Sequence, residues 1–174
     1  MKAALLFFLL ASPAFAQNKF ADTAIAPGCG QEEVKFNVKT LKHEHPAAKP
    51  GAGEALVYFI EDDSNYNSIF KPTIRAGLDG GWVGATHGSS YFYFSVAPGE
   101  HHLCASWQPL DDSEKSRTKA LAHFTAEAGH AYYFGVKNHW NEYGTVDINF
   151  EPIDSDEGQL LASTFSFSTF HPRK

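Results

Sequence analysis

The chain has 174 residues, 43% of them hydrophobic, and a formal net charge of −6. That length suits one domain around one core. The acidic balance, with no run rich in Lys and Arg, excludes the electrostatic footprint of a nucleic-acid binder and argues equally against anionic membrane surfaces.

The chain opens with Lys2, the apolar run "AALLFFLLA" over 3–11, and "SPAFAQ". This pattern predicts a signal peptide over residues 1–16, cleaved after Ala16, with Ala14 and Ala16 at the small-residue positions. The run is too short to span a bilayer as a helix. No twin arginine precedes it, which points to the general secretion route. Cleavage removes one lysine and no acid, so the exported chain is slightly more acidic. A segment over 17–32 then leads into a β-domain over 33–170. No later stretch is apolar enough to span a membrane, so the expectation is an exported protein, periplasmic or secreted. The only cysteines are Cys29 and Cys104. A small even number in an exported chain predicts a disulfide, with two free thiols as the alternative. In "IAPGC", Pro27 occupies a position where a lipobox needs a small residue, so no lipid anchor is expected.

In "EVKFNVKT", Val34, Phe36 and Val38 alternate with Lys35, Asn37 and Lys39, the period of a half-buried strand. "HEHPAAKPGAG" reads as a loop. "EALVYFIED" is apolar on both faces and predicts a central strand. "DSNYNS" is a polar loop. "TIRAGLDGGWVGAT" predicts a hairpin turning at Asp79-Gly80-Gly81. "YFYFSV" and "EHHLCASW" flank "APGE", a second predicted hairpin in which Pro98 sets φ and Gly99 accepts a positive one. "DDSEKSRT" is a charged loop. "ALAHFTA" and "HAYYFGVKN" flank "EAG". "TVDINFEP" alternates again, and "DSDEGQLLASTFSF" leaves room for a short helical turn. The expected fold is all-β: a single antiparallel β-sandwich of about 7–9 strands.

A hairpin centred on Pro98 and Gly99 pairs Val96 with His101, Phe94 with Leu103 and Phe92 with Ala105. Phe92, Phe94, Val96, Leu103, Ala105 and Trp107 then share the core face. Tyr91, Tyr93, Ser95, His102, Cys104 and Ser106 share the other. A slip of one residue would mix the two sets. His101 and His102 therefore point to opposite faces and cannot jointly chelate a metal, whose ligands must converge. This register also predicts that Cys29 reaches the tyrosine face and that His102 lies beside Tyr93 and Ser95.

The stretch "IRAGLDGGWVGATHGSSYFYFSVAPGEHHLCASW" resembles the core of a bacterial family of secreted and lipoprotein β-sandwich domains of unknown function. The shared outline is "LDG", "WVG", "SYF" and "PGEHHL". The small PEGA surface-layer domain is similar in this region. "PGCGQEEVKFNVKT", "AHFTAEAGHAYYF" and "PIDSDEGQLLAS" also look like members of the first family. The resemblance implies a small β-sandwich exported to the envelope and supplies no activity.

Motif chemistry is sparse. There is no G-x-S-x-G, H-E-x-x-H, Walker loop or C-x-x-C. His43 and His45 have a spacing that can chelate, but they sit beside a proline-rich loop. The carboxylates at Asp62-Asp63, Asp111-Asp112 and Asp154–Glu157 read as solvated loops. No catalytic residue, metal ligand or cofactor is assigned. Fifteen Phe, seven Tyr and three Trp remain. Among them Tyr91, Tyr93 and Trp140, together with His102, are the candidate ligand-binding residues, because exposed aromatic rings stack on sugars or anchor partners; the favoured alternative is that a second sheet or the N-terminal segment covers the tyrosine face. The expected function is a noncatalytic binding or structural module for an envelope protein or glycan. The alternative is a metal-binding or hydrolytic protein using dispersed His and Asp residues.

Overall fold

The computed structural model describes residues 28–30, 34–66, 71–108, 118–140 and 146–173. The predicted signal peptide and its cleavage site lie outside the described residues, as do Asp111 and Asp112. Ten strands and one helix follow in chain order: β1 (Phe36–Leu41), β2 (Ala55–Asp62), β3 (Thr73–Leu78), β4 (Gly81–His87), β5 (Ser90–Val96), β6 (Gly99–Trp107), β7 (Lys119–Ala126), β8 (Ala131–Trp140), β9 (Val146–Ile153), α1 (Ser155–Thr164) and β10 (Ser166–Pro172).

The strands form two sheets. One has six strands in the order β1-β10-β5-β2-β8-β9; the other has four in the order β4-β3-β6-β7. Both contribute to one core: Val57, Phe59, Phe92, Phe134 and Phe150 from the larger sheet, Ile74, Ala76, Leu103 and Ala105 from the smaller. The all-β expectation holds, with two corrections. Ten strands are present among the described residues, and the larger sheet is mixed: β10 runs parallel to β5, and β2 parallel to β8. Periodicity reports which way side chains point, not which strand lies alongside, so strand direction was not legible.

β2 is central as predicted, paired on both sides and buried along nearly its whole length. The β3–β4 hairpin also forms as predicted. Leu78 pairs with Gly81, and the two residues between them have positive φ, 48° at Asp79 and 86° at Gly80, the geometry of a type I′ turn.

The second predicted hairpin does not form. β5 pairs with β2 and β10, while β6 pairs with β3 and β7. Ala97 and Pro98 carry the chain from one sheet to the other, and Gly99 takes a φ of 136°. The connection from β7 to β8 around "EAG" likewise changes sheet. Yet the sorting of faces survives: Phe92, Val96, Leu103 and Ala105 are buried in the core, with Phe94 and Trp107 packed against it. Alternation belongs to each strand by itself. Two strands with one apolar face each can bury those faces side by side in one sheet or opposite each other across the core.

The polar faces are separated as a result. Tyr91 and Tyr93 lie on the outer face of the larger sheet, while His102, Cys104 and Ser106 lie on the outer face of the smaller. Cys29 and Cys104 form the predicted disulfide, with Cα atoms 5.0 Å apart. It holds the segment around Gly28 to the smaller sheet, not to the tyrosine face. The tail forms a helix of ten residues, longer than a single turn. Asp154 caps it by accepting the backbone N–H groups of Asp156 and Glu157. The helix covers the larger sheet: Leu161 and Ala162 pack on Leu56, Tyr58, Ile60 and Tyr91. Among the described residues no helix is long and apolar enough to cross a membrane.

Candidate functional site

The outer face of the larger sheet collects tyrosines from three adjacent strands: Tyr58 on β2, Tyr91 and Tyr93 on β5, and Tyr133 on β8. Register makes this inevitable, because Tyr58 pairs with Tyr93 on one side and with Tyr133 on the other. The Tyr58 and Tyr133 rings are stacked with centroids 4.7 Å apart, and Tyr58 meets Tyr93 at 5.3 Å.

Between α1 and residues 45–48, these rings form the floor of a groove of about 310 Å³. Tyr58, Tyr91 and Tyr133 line it, with Gln159 and Ser163 from the helix and His45 from the facing segment. That segment belongs to "HEHPAAKPGAG". It is a loop, as expected, but one tied down by tyrosines. The Tyr58 hydroxyl accepts the Ala48 N–H at 3.0 Å and donates to Ala48 O at 3.2 Å. The Tyr91 hydroxyl donates to Pro46 O at 3.1 Å. His45 Nδ1 lies 2.9 Å from Phe165 O, so that nitrogen carries the proton. This bond commits His45 and separates its role from that of exposed His43. Burial, reinforced by the neighbouring Tyr58 and Tyr93, pushes the Tyr91 phenol up to about 12, and burial followed by Tyr58 raises that of Tyr133. Both phenols are therefore neutral at ordinary pH. Tyr58 and Tyr91 are buried, 4% and 1% exposed, so half-buried Tyr133 is the tyrosine that presents ring surface to the groove.

The sequence-predicted residues divide. Tyr91 lines the groove. Tyr93 belongs to the same aromatic cluster and packs on Phe167 at 5.5 Å. His102 is on the other sheet, opposite His123, and not beside Tyr93. Trp140 ends β8, paired with Val146; its side chain lies outside the described residues. Tyr58, Tyr133 and Gln159 were missed. Tyr58 and Tyr133 each sit in a nearly continuous apolar run, which conceals the face they occupy.

A second polar cluster lies inside the molecule. Val57 and Phe59 of β2 face the core, and the same alternation carries Glu61 and Asp63 inward, 0% and 1% exposed. The reading of Asp62-Asp63 as a solvated pair is corrected for Asp63. Asn138 donates to Asp63 Oδ1 at 2.6 Å and accepts from Trp107 Nε1 at 2.7 Å. Neither Glu61 oxygen has a well-formed hydrogen bond. Burial, then the charge of Asp63, raises the Glu61 carboxyl well above its ordinary range. The fold therefore favours the neutral form of Glu61. Both carboxyls are thus enclosed at the end of β2.

His101 joins three parts of the chain. Its Nδ1 is 2.6 Å from Asp79 Oδ2 in the β3–β4 turn, and its Nε2 is 2.7 Å from Ala97 O at the sheet crossing. Both partners are acceptors, so both ring nitrogens donate and the ring is an imidazolium. Partial burial lowers the His101 pKa, but the bonds to Asp79 and Ala97 outweigh it and set it above the ordinary value. Burial raises Asp79, and the His102 N–H together with His101 more than reverses that.

The architecture thus defines an all-β domain of two sheets with a disulfide-anchored N-terminal segment and an aromatic groove under its one described helix. No protein-family model and no curated protein matches this sequence.

Proposed function

We propose that the protein is an exported, noncatalytic β-sandwich module of the bacterial envelope or secreted fraction, and that the tyrosine-lined groove binds an envelope glycan. The observation that carries this reading is the groove itself: the half-buried Tyr133 ring, backed by buried Tyr58 and Tyr91, with the amide of Gln159 and the hydroxyl of Ser163 among its lining groups. Aromatic faces suit the C–H faces of a sugar ring, and neutral polar groups suit its hydroxyls. The disulfide, compatible with an oxidising compartment, supports export. So do the "AALLFFLLA…SPAFAQ" pattern and the resemblance to secreted and lipoprotein domains. A hydrolytic metal centre takes at least three protein donors on one point; among the described residues no three His, Cys, Asp or Glu side chains are so placed.

The test is an NMR titration with oligosaccharides prepared from bacterial envelopes. Binding should shift the Gln159 side-chain amide and the Tyr133 ring signals, and Tyr133→Ala should abolish the shifts. Saturable binding that leaves both signals unmoved, or no binding by any envelope oligosaccharide, overturns the proposal.

A further inference from the structure

The adjacent histidines of β6 meet different fates. His101 has both ring nitrogens engaged, by Asp79 and Ala97, and has no lone pair to offer a metal. His102 points to the opposite face, where β7 brings His123 directly across from it. The two ring centroids are 6.4 Å apart, with planes inclined by 37°. Both residues are exposed. Among the described residues neither ring makes a hydrogen bond, and both line a surface pocket of about 120 Å³ together with Leu121 and Ala122. The ladder continues on both sides, with Leu103 opposite Ala122 and His101 opposite Phe124, so the two backbones are held at fixed separation.

From this juxtaposition the geometry points to a surface site for one borderline divalent cation, copper(II) foremost and nickel(II) or zinc(II) after it, held by the imidazoles of His102 and His123. Metal–nitrogen bonds of roughly 2.0–2.1 Å put the centres of two ligating rings about 4.5 Å apart at a right angle at the metal, about 5 Å at a tetrahedral angle and about 6.4 Å when the two nitrogens are opposite each other. A small rotation of either exposed side chain covers the difference from 6.4 Å. Water completes the coordination sphere. Imidazole nitrogen selects these ions over calcium and magnesium, which require oxygen donors, and the usual order of stability places copper(II) first. The site is independent of the tyrosine groove, which lies on the other sheet. The pairing is also invisible in "EHHLCASW": His123 lies on a separate strand, and only the β6–β7 register brings it to His102.

The test is calorimetric titration of the chain, purified without a polyhistidine tag, with copper(II) chloride and separately with nickel(II) chloride. One saturable equivalent is expected. His102→Ala and His123→Ala should each weaken it by about tenfold or more, while His43→Ala and His130→Ala leave it unchanged. Thermal melts of the two pair variants should match the parent, since both side chains are exposed. The copper(II) electron paramagnetic resonance spectrum should carry nitrogen hyperfine structure that disappears in the double variant. Parent-like binding by His102→Ala and His123→Ala, or loss of binding in His43→Ala, overturns the site.

Discussion

At the scale of single residues, position relative to the core outweighs residue type. Phe92 and Phe94 share a face, but Phe92 is 2% exposed and touches Phe59 and Phe170, whereas Phe94 is only half-buried. Phe92→Ala should therefore cost about 3–5 kcal/mol in urea melts and Phe94→Ala clearly less. Three titrating groups, His101, Glu61 and Asp79, contribute to the dependence of stability on pH. The folded pKa of His101 is above its ordinary 6.5, so its contribution is complete below 6.5 and is lost as pH rises through the higher folded value. Glu61 follows the same sign from its ordinary 4.5, because burial favours its neutral form; Asp63 and Thr86 face it. Asp79 runs the other way: its contribution is present above its ordinary 3.8 and is lost as pH falls through its lowered value. The urea midpoint should thus fall as pH rises above 6.5, the ordinary value of His101. Glu61→Gln should remove one part of that fall and Asp79→Asn another. A parent-like slope in both variants would show that neither group is responsible.

At the scale of elements, α1 depends on contact more than on its own propensity. Gly158 is its one fully buried residue and lies over Tyr133. In an isolated helix, alanine would be favoured there by about 1 kcal/mol. Here a Cβ would overlap the base of the Tyr133 ring, which cannot swing aside as the tip of a long side chain would. Gly158→Ala should therefore destabilise by about 1–3 kcal/mol, and it should shift the Tyr133 ring signals in NMR spectra. A stabilised variant would mean that the helix does not rest on that ring. The same element shows the limit of local reading. Asp154 and the acidic first turn announce a helix start, but the residues that matter for the groove, Gln159 and Ser163, acquire meaning only from the sheet beneath.

At the scale of the whole molecule, the Cys29–Cys104 disulfide joins the N-terminal segment to a strand 75 positions later. Replacing both cysteines by alanine should cost about 2–4 kcal/mol by chemical denaturation. Mass spectrometry of the unreduced parent should find no free thiol. Two free thiols in that sample would remove the bond from the account. Because Cys104 is on the smaller sheet, the cysteine variant should leave the tyrosine groove and its ring signals nearly unchanged.

The sequence by itself determined the all-β class, the faces of the alternating strands, a turn at Asp79-Gly80-Gly81, the cysteine pair and the separation of His101 from His102. These are local properties: period-two alternation, a turn that needs positive φ, and the parity of two cysteines. Tertiary structure alone decided that β5 and β6 face each other across the core, that β2 and β8 run parallel, and that Tyr58 stacks on Tyr133. It also decided that Glu61 and Asp63 are enclosed and that His102 meets His123. The physical reason is common to all of them. A strand's alternation specifies which residues leave the solvent, but any strand of compatible register can supply the surface they meet, and that choice depends on the packing of the whole chain.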